Sequence, residues 1–380
     1  MPSNGVRAQP FDSRRAGHYE SARVSTKPVP VSILGVSGFA GSELARLVAA
    51  HSAFELVGVA ADSWRGKLLG ECMRLAGPAA RLQVSPMADA QKLAGQSNLV
   101  ALATPAEASM KLVPELLAAG VRVVDLSGAF RLTNLDEYPR WYHFDHSAPD
   151  LVAEAHYGLP EVPEASGDAP SITKARVVSN PGCYATAAIV ALAPLLRAGI
   201  VDREGLFLDG KSGVSGAGRK VEERYTFMEV DENVSPYRVG DHQHTPEIEQ
   251  ALGRVAKAPV SVTFVPHLLP VKRGLIVTAF ARVCPNVSES DVSAAYVEGW
   301  FRQAYDRLES LVEVTSPSNV TISRVAYTPL GSVGVRVLSE RSSIVVVSAL
   351  DNLLKGAASQ AMQNLCAMIG VSPGFSRGNP

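Results

Sequence analysis

The sequence predicts an α/β protein in two parts, a doubly wound parallel sheet followed by an α+β unit with a large, mostly antiparallel sheet. Three observations carry this expectation. From Val31 the chain reads strand, glycine turn, amphipathic helix and strand in VSILGVSGFAGSELARLVAAHSAFELVGVAAD. Strand and helix keep alternating through SNLVALATP, a helix MKLVPELLAAG expected to be interrupted near Pro114, and VRVVDLSGAF. Later, the strand-like segments SVTFVPHLLPV, GLIVTAFARV, VGVRVLSE and SSIVVVSAL surround one helical stretch, SAAYVEGWFRQAYDRL, and DNLLKGAASQAMQNLCAMI reads as a long final amphipathic helix that returns to the first unit as a lid. At 380 residues the chain exceeds one ordinary core.

Composition narrows the function classes. A formal net charge of −1 leaves no basic footprint for nucleic acid or an acidic membrane, so an anionic ligand has to be bound locally. Cys72, Cys183, Cys284 and Cys366 are scattered singly, which fits a reducing, cytoplasmic setting rather than a disulfide scaffold. No apolar run approaches the length of a membrane-spanning helix. Residues 1–30 are polar and aperiodic and read as a flexible extension; Arg and Ser there suit a transit peptide, but Asp12 and Glu20 count against one.

The first candidate site is the glycine turn. Gly35, Gly38 and Gly41 follow GxxGxxG spacing between a strand and a helix, and with Ser37, Phe39 and Ala40 they form a cradle for a pyrophosphate, whose charge meets free N–H groups at the helix start. Asp62 at the end of the second strand suits a ribose 2′-hydroxyl, whereas Ser63 and Arg65 suit a 2′-phosphate. Thr104, Pro105, Ser127 and Gly128 lie at the carboxyl ends of later strands, where such folds bind ligands.

The second is VVSNPGCYAT, which sets Cys183 at a helix start where the field favours a thiolate nucleophile. Downstream, Ser212 and Gly213 open a small-residue loop that ends at Arg219, whose planar fork suits carboxylate or phosphate. GDHQHTPEIEQ then offers His242 or His244 as the acid/base partner of the thiol, with Glu247 as a further catalytic or substrate candidate. A zinc site needs more ligands at recognisable spacing than this His-x-His pair supplies, so no metal is expected.

The words GVSGFAGSEL, DLSGAFRL, HYGLPEV, SNPGCYAT, SGVSGAGR, HQHTPEIEQ, VPHLLPVKRG and DNLLKGAASQAMQNL, in order from about residue 31 to 370, resemble the N-acetyl-γ-glutamyl-phosphate reductases of the semialdehyde dehydrogenase group. The resemblance implies a Rossmann-type NADP(H)-binding domain at 31–182, a catalytic and dimerisation domain at 183–350 and a C-terminal helix at 351–380 returning to the cofactor domain. It implies reduction of an acyl phosphate to a semialdehyde in arginine biosynthesis by a homo-oligomer, dimer or tetramer, with Cys183 as nucleophile and His242 as acid/base. It marks Arg131 and Arg219 for the substrate's carboxylate or phosphate and Asn352 for the nicotinamide amide. Where relatives commonly carry Leu-Pro-His-Gly after a strand, this chain has LATPAEAS. Competing readings are a reductase for aspartyl phosphate or an aminoadipate derivative, and a non-catalytic cofactor-sensing protein. A truncation beginning near Lys27 is expected to keep normal turnover; a large fall in a soluble, folded truncation would contradict the reading of residues 1–30.

Overall fold

The computed structural model describes residues 27–375 except 220, 286, 288–291 and 307–309, so most of the expected N-terminal extension lies outside the described residues. The first sheet contains β1 (Val29–Leu34), β2 (Phe54–Ala60), β3 (Leu99–Leu102), β4 (Arg122–Asp125), β5 (His156–Tyr157) and β6 (Val177–Ser179). Its order is β2-β1-β3-β4-β6-β5, and every pairing is parallel. All four residues of β3 are buried, as they must be in a parallel sheet covered on both faces.

Helix α1 (Phe39–Ala50) carries the chain from β1 back to β2 and buries Leu44, Ala45 and Val48. Helix α2 (Ala106–Ala118) follows β3 and runs through Pro114 without the expected interruption. Pro114 sits on the exposed side of the helix, where its ring displaces no core side chain.

Helix α3 (Cys183–Arg197) is buried from Tyr184 to Leu196, which explains why CYATAAIVALAPLLR is apolar all round. Beyond it lie β7 (Leu206–Gly213), β8 (Ser235–Pro236), helix α4 (His244–Ala256), β9 (Val262–Leu269), β10 (Leu275–Arg282), helix α5 (Ala294–Tyr305), β11 (Val312–Thr315), β12 (Gly331–Leu338) and β13 (Ser343–Leu350). The second sheet has the order β11-β12-β13-β10-β7-β9-β8. Pairings β11–β12 and β7–β9 are parallel and the other four antiparallel, so the sheet is mixed. Along β10, Leu275, Val277, Ala279 and Ala281 point into the core beneath the helices, while Phe280 on the alternate face is 44% exposed and Phe207 of β7 is 54% exposed. Among the described residues no helix is long and apolar enough to cross a membrane.

The chain then returns to the first sheet. A π-helical turn at Leu354–Ala358 precedes helix α6 (Ser359–Ile369), so the last segment is not one uniform helix. Ala361, Met362, Leu365 and Cys366 join Val31, Ile33, Val124 and Val178 in one core, which makes α6 a structural layer and not a lid. Arg122 at the start of β4 donates to the Met368 carbonyl at 2.9 Å and fixes the end of this helix. The π turn presses Gly356 against the cysteine turn: a Cβ added there would lie 2.6 Å from Cys183 Cβ.

Within this turn Lys355 is fully buried and donates to Glu161, Gln360 and Gln363, each at 2.6 Å. Its ammonium ties the GLPEV segment after β5 to α6. Lys355→Met leaves the Glu161 charge buried without its cation, and a loss of about 3–5 kcal/mol is expected in chemical denaturation. Adding Glu161→Leu should recover much of that loss, because the stranded charge is then gone.

Candidate active site

The carboxyl ends of the first sheet's strands face the ends of β7 and β9 across one cleft of about 1000 Å³. Gly38, Thr104, Ser127, Cys183, Ser212 and His242 all line it, so residues scattered over two hundred positions meet there.

The glycine turn divides into packing and clearance. Gly35 has φ +87°, and a Cβ on it would meet the Ala103 carbonyl oxygen at 2.4 Å. A Cβ on Gly41 would lie 2.5 Å from the Gly35 oxygen. Gly38 is different: its missing Cβ faces the cleft, with the Gly35 oxygen 3.4 Å away as the nearest neighbour. Gly38 caps α1, and the N–H groups of Phe39, Ala40 and Gly41 have no partner within the helix by virtue of their position. This open cradle fits the pyrophosphate of a dinucleotide. Phe39, Ala40, Gly41 and Pro105 also line the cleft, whereas Gly35 and Ser37 do not.

Cys183 is the first residue of α3, with Gly182 as the cap. Glu247, fully buried on α4, accepts from the Gly182 N–H and from the Tyr157 hydroxyl, both at 2.8 Å. Arg131 completes the arrangement. Its Nε donates to the Asn180 carbonyl at 2.9 Å, one Nη to the Leu126 carbonyl at 2.8 Å, and the other lies 3.4 Å from Glu247. Arg131 thus borders the cleft as a fixed charge whose donors are largely committed to the protein. The helix-start expectation for Cys183 meets an opposing effect here: burial pushes the thiol up to about 11, while the Tyr184 N–H and Arg131 pull it the other way.

Both histidines line the cleft, with ring centroids 4.7 Å apart. His242 sits in an aromatic frame of Tyr184, Tyr237 and Phe264, and its Nδ1 accepts the His244 N–H at 3.1 Å. That bond puts the proton of the neutral ring on Nε2. Burial, aided by Arg238, pulls His242 down to about 3. His244 is pulled well below the usual histidine range by burial, then by His242 and Arg131. Its ring fills the space beside the cap, since a Cβ on Gly182 would meet His244 Nε2 at 2.2 Å.

Ser212 and Gly213 end β7 at the cleft, and a Cβ on Gly213 would strike the Val271 oxygen at 2.7 Å. Asn352 reaches the same wall. Its amide accepts the Gly274 N–H at 2.8 Å and donates to Ser215 Oγ at 3.0 Å. Arg219, in contrast, does not line this cleft; its guanidinium lies 4.4 Å from the Phe39 ring centroid and 5.6 Å from that of Trp64. Ser63 and Arg65 are exposed in and after the short turn Asp62–Trp64 and do not line it either. Sequence reasoning missed Tyr157, Tyr184, Tyr237 and Arg238. Tyr157 and Tyr184 stood inside quoted motifs without a chemical signature, and Tyr237 and Arg238 lie just ahead of the histidine pair, outside any quoted motif.

Two sequence-family profiles match the chain. "Semialdehyde dehydrogenase, NAD binding domain" covers residues 30–168, and "Semialdehyde dehydrogenase, dimerisation domain" covers 183–352. The chain is 39% identical to the N-acetyl-gamma-glutamyl-phosphate reductase of Pelotomaculum thermopropionicum over 90% of its own length and 96% of that protein's. It is 40% identical to the enzyme of the same name from Syntrophobacter fumaroxidans, over 90% and 95%. The solved aspartate semialdehyde dehydrogenase II of Vibrio cholerae shares the fold, with a TM-score of 0.69 at 19% identity, covering 90% of this chain and 98% of that one. The aspartate semialdehyde dehydrogenase of Candida albicans, solved with NADP, gives a TM-score of 0.64 at 15% identity, covering 90% and 100%. With a glycine cradle and a buried cysteine turn on one cleft, and relatives this similar over nearly their whole length, the chain belongs to the N-acetyl-gamma-glutamyl-phosphate reductase family.

Proposed function

We propose that this protein reduces N-acetyl-γ-glutamyl phosphate to N-acetylglutamate semialdehyde and phosphate, with NADP(H) rather than NAD(H) as cofactor, as a homo-oligomer with the exposed Phe207 and Phe280 face covered by a second copy. The observation that carries it is Cys183 at the start of α3, sharing a cleft with His242 and with the glycine cradle at Gly38. Gly38, Phe39, Ala40 and Gly41 would hold the cofactor's pyrophosphate, and Asn352 would border its nicotinamide. When bound, NADPH supplies a hydride to the acyl carbon.

The chain's own residues do the rest. The Cys183 sulfur bonds to the acyl carbon, the bond from that carbon to the phosphate oxygen breaks, and phosphate leaves with the thiol proton, giving a thioester. The N–H groups in the first turn of α3, which have no partner within the helix, are the candidates to meet the developing oxyanion, each worth about 3 kcal/mol in comparable sites. His242, neutral and protonated on Nε2, donates to the charge that develops and handles protons at that atom. Once the thioester carbon is reduced, the carbon–sulfur bond breaks, the aldehyde departs, and one proton from solvent restores the thiol. Ser212 and Arg238 are the candidates for the substrate's anionic groups, since the donors of Arg131 are already engaged. The reading is supported against an aspartyl-phosphate reductase by the much closer named relatives, and assays with both acyl phosphates test it.

Cys183→Ser should lose nearly all turnover while still binding NADPH. Mixed with acyl phosphate and no NADPH, wild type should gain a substrate-derived mass on the Cys183 peptide, and the variant little or none. His242→Asn should slow turnover by about a hundredfold to ten-thousandfold, with His244→Asn milder. A larger loss in His244→Asn transfers the proton-handling role.

A separate measurement reads the free thiol. Because burial raises the Cys183 pKa, thiolate is scarce at neutral pH and gains about tenfold per pH unit below that value. Iodoacetamide labelling of the Cys183 peptide should therefore keep accelerating above about pH 8.5, the ordinary thiol value. A plateau below that point would show a depressed thiol.

A further inference from the structure

We propose that Arg219 is the residue that selects the adenosine 2′-phosphate of NADP(H), an inference that rests on the cofactor reading above. Arg219 follows the small-residue turn Val214–Ala217 of the second unit, yet its guanidinium crosses to the first, 4.4 Å from the Phe39 ring and 5.6 Å from the Trp64 ring. Phe39 opens α1 beside Gly38, and Trp64 ends the short turn after β2. In a doubly wound fold the adenosine ribose lies between those two places, the pyrophosphate at the helix start and the 2′ position toward the end of the second strand. The two rings thus hold a cation at the edge of the ribose position.

Three further observations favour a phosphate over a hydroxyl there. Asp62, the residue that would accept from a ribose 2′-hydroxyl, spends Oδ1 on the Met87 N–H at 3.0 Å. Arg219 has no carboxylate in salt-bridge range among the described residues, and its planar fork is free to grip an anion while its face rests on the rings. Beside it a cavity of about 470 Å³ is lined by Arg46, Arg219, Lys272 and Arg273 against a single carboxylate, Glu43. Glu43 already pairs with Arg273 at 3.1 Å and Arg46 at 3.5 Å, and Arg273 also pairs with the buried Asp351 at 3.0 Å, so the positive charge left over at the cavity is that of Arg219 and Lys272 with a share of Arg46. Arg65 lies on the same side of the fold but is exposed and lines neither this cavity nor the cleft.

The test is calorimetric titration of the full chain with two cofactor fragments, ADP-ribose and 2′-phospho-ADP-ribose, without substrate or turnover. Arg219→Leu should weaken 2′-phospho-ADP-ribose by about tenfold to a hundredfold and leave ADP-ribose within about threefold. Arg219→Lys, which keeps the charge and loses the fork, should fall between, and Arg65→Ala should discriminate less than Arg219→Leu. Equal weakening of both fragments by both Arg219 variants would overturn the proposal in favour of a pyrophosphate contact or a loop-shaping role. A selective loss in Arg65→Ala with none in Arg219→Leu would overturn it as well. Failure of wild type to bind either fragment would instead remove the cofactor reading itself, and this proposal with it.

Discussion

The buried carboxylate of Glu247 is the constraint on which the site depends. One oxygen accepts from the cap of the cysteine helix and from Tyr157, and the other faces Arg131, so a single side chain on α4 joins the turn after β6, strand β5 and the DLSGAFR loop. A carboxylate with no solvent exposure is tolerated only when paired and hydrogen-bonded. That requirement makes the arrangement all or none. If the cap moved, Glu247 would lose a donor; if Arg131 moved, two backbone carbonyls and a buried charge would be left without their partner. The nucleophile is held still by the cost of every alternative.

The same economy organises the far side of the turn. Gly182 is hemmed in by His244, and Gly356 by Cys183 itself, so side chains are absent where rings and backbones must touch. The π turn at Leu354–Ala358 belongs to this packing, because it lets the chain bring Gly356 to the cysteine and still enter α6 in register with the first sheet. Catalytic groups from four distant segments are therefore positioned by contacts with little slack.

Much of this was legible in the residues. Periodicity located β1, α1, β10, β12 and β13, because each buries one regular face or both. Glycine spacing and a cysteine at a strand-turn-helix marked both halves of the cleft. What the sequence hid were features fixed by partners far away in the chain. Pro114 reads as a break, but it is exposed on α2 and the helix runs through it. Glu247 reads as a reactive acid and is instead a buried clamp, a distinction made only by Gly182, Tyr157 and Arg131 arriving from elsewhere. Arg219 reads as a substrate anchor from its own loop, and only the fold brings Phe39 and Trp64 beneath it. The short strands β5, β8 and β11 carry too few residues for any alternation to show.

The place of α6 in the first core bears on how the protein is made. β6, the last strand by chain order in the first sheet, ends at Ser179, and the helix that seals its core ends at Ile369. At ribosomal rates of about 5–20 residues per second, roughly 190 residues separate them and the apolar cradle waits about 10–40 seconds for its cover. Through that interval Val31, Ile33, Val124 and Val178 have Leu44, Ala45 and Val48 of α1 beside them but lack Ala361, Met362, Leu365 and Cys366, so this face of the first unit stays partly uncovered until the final helix has been made.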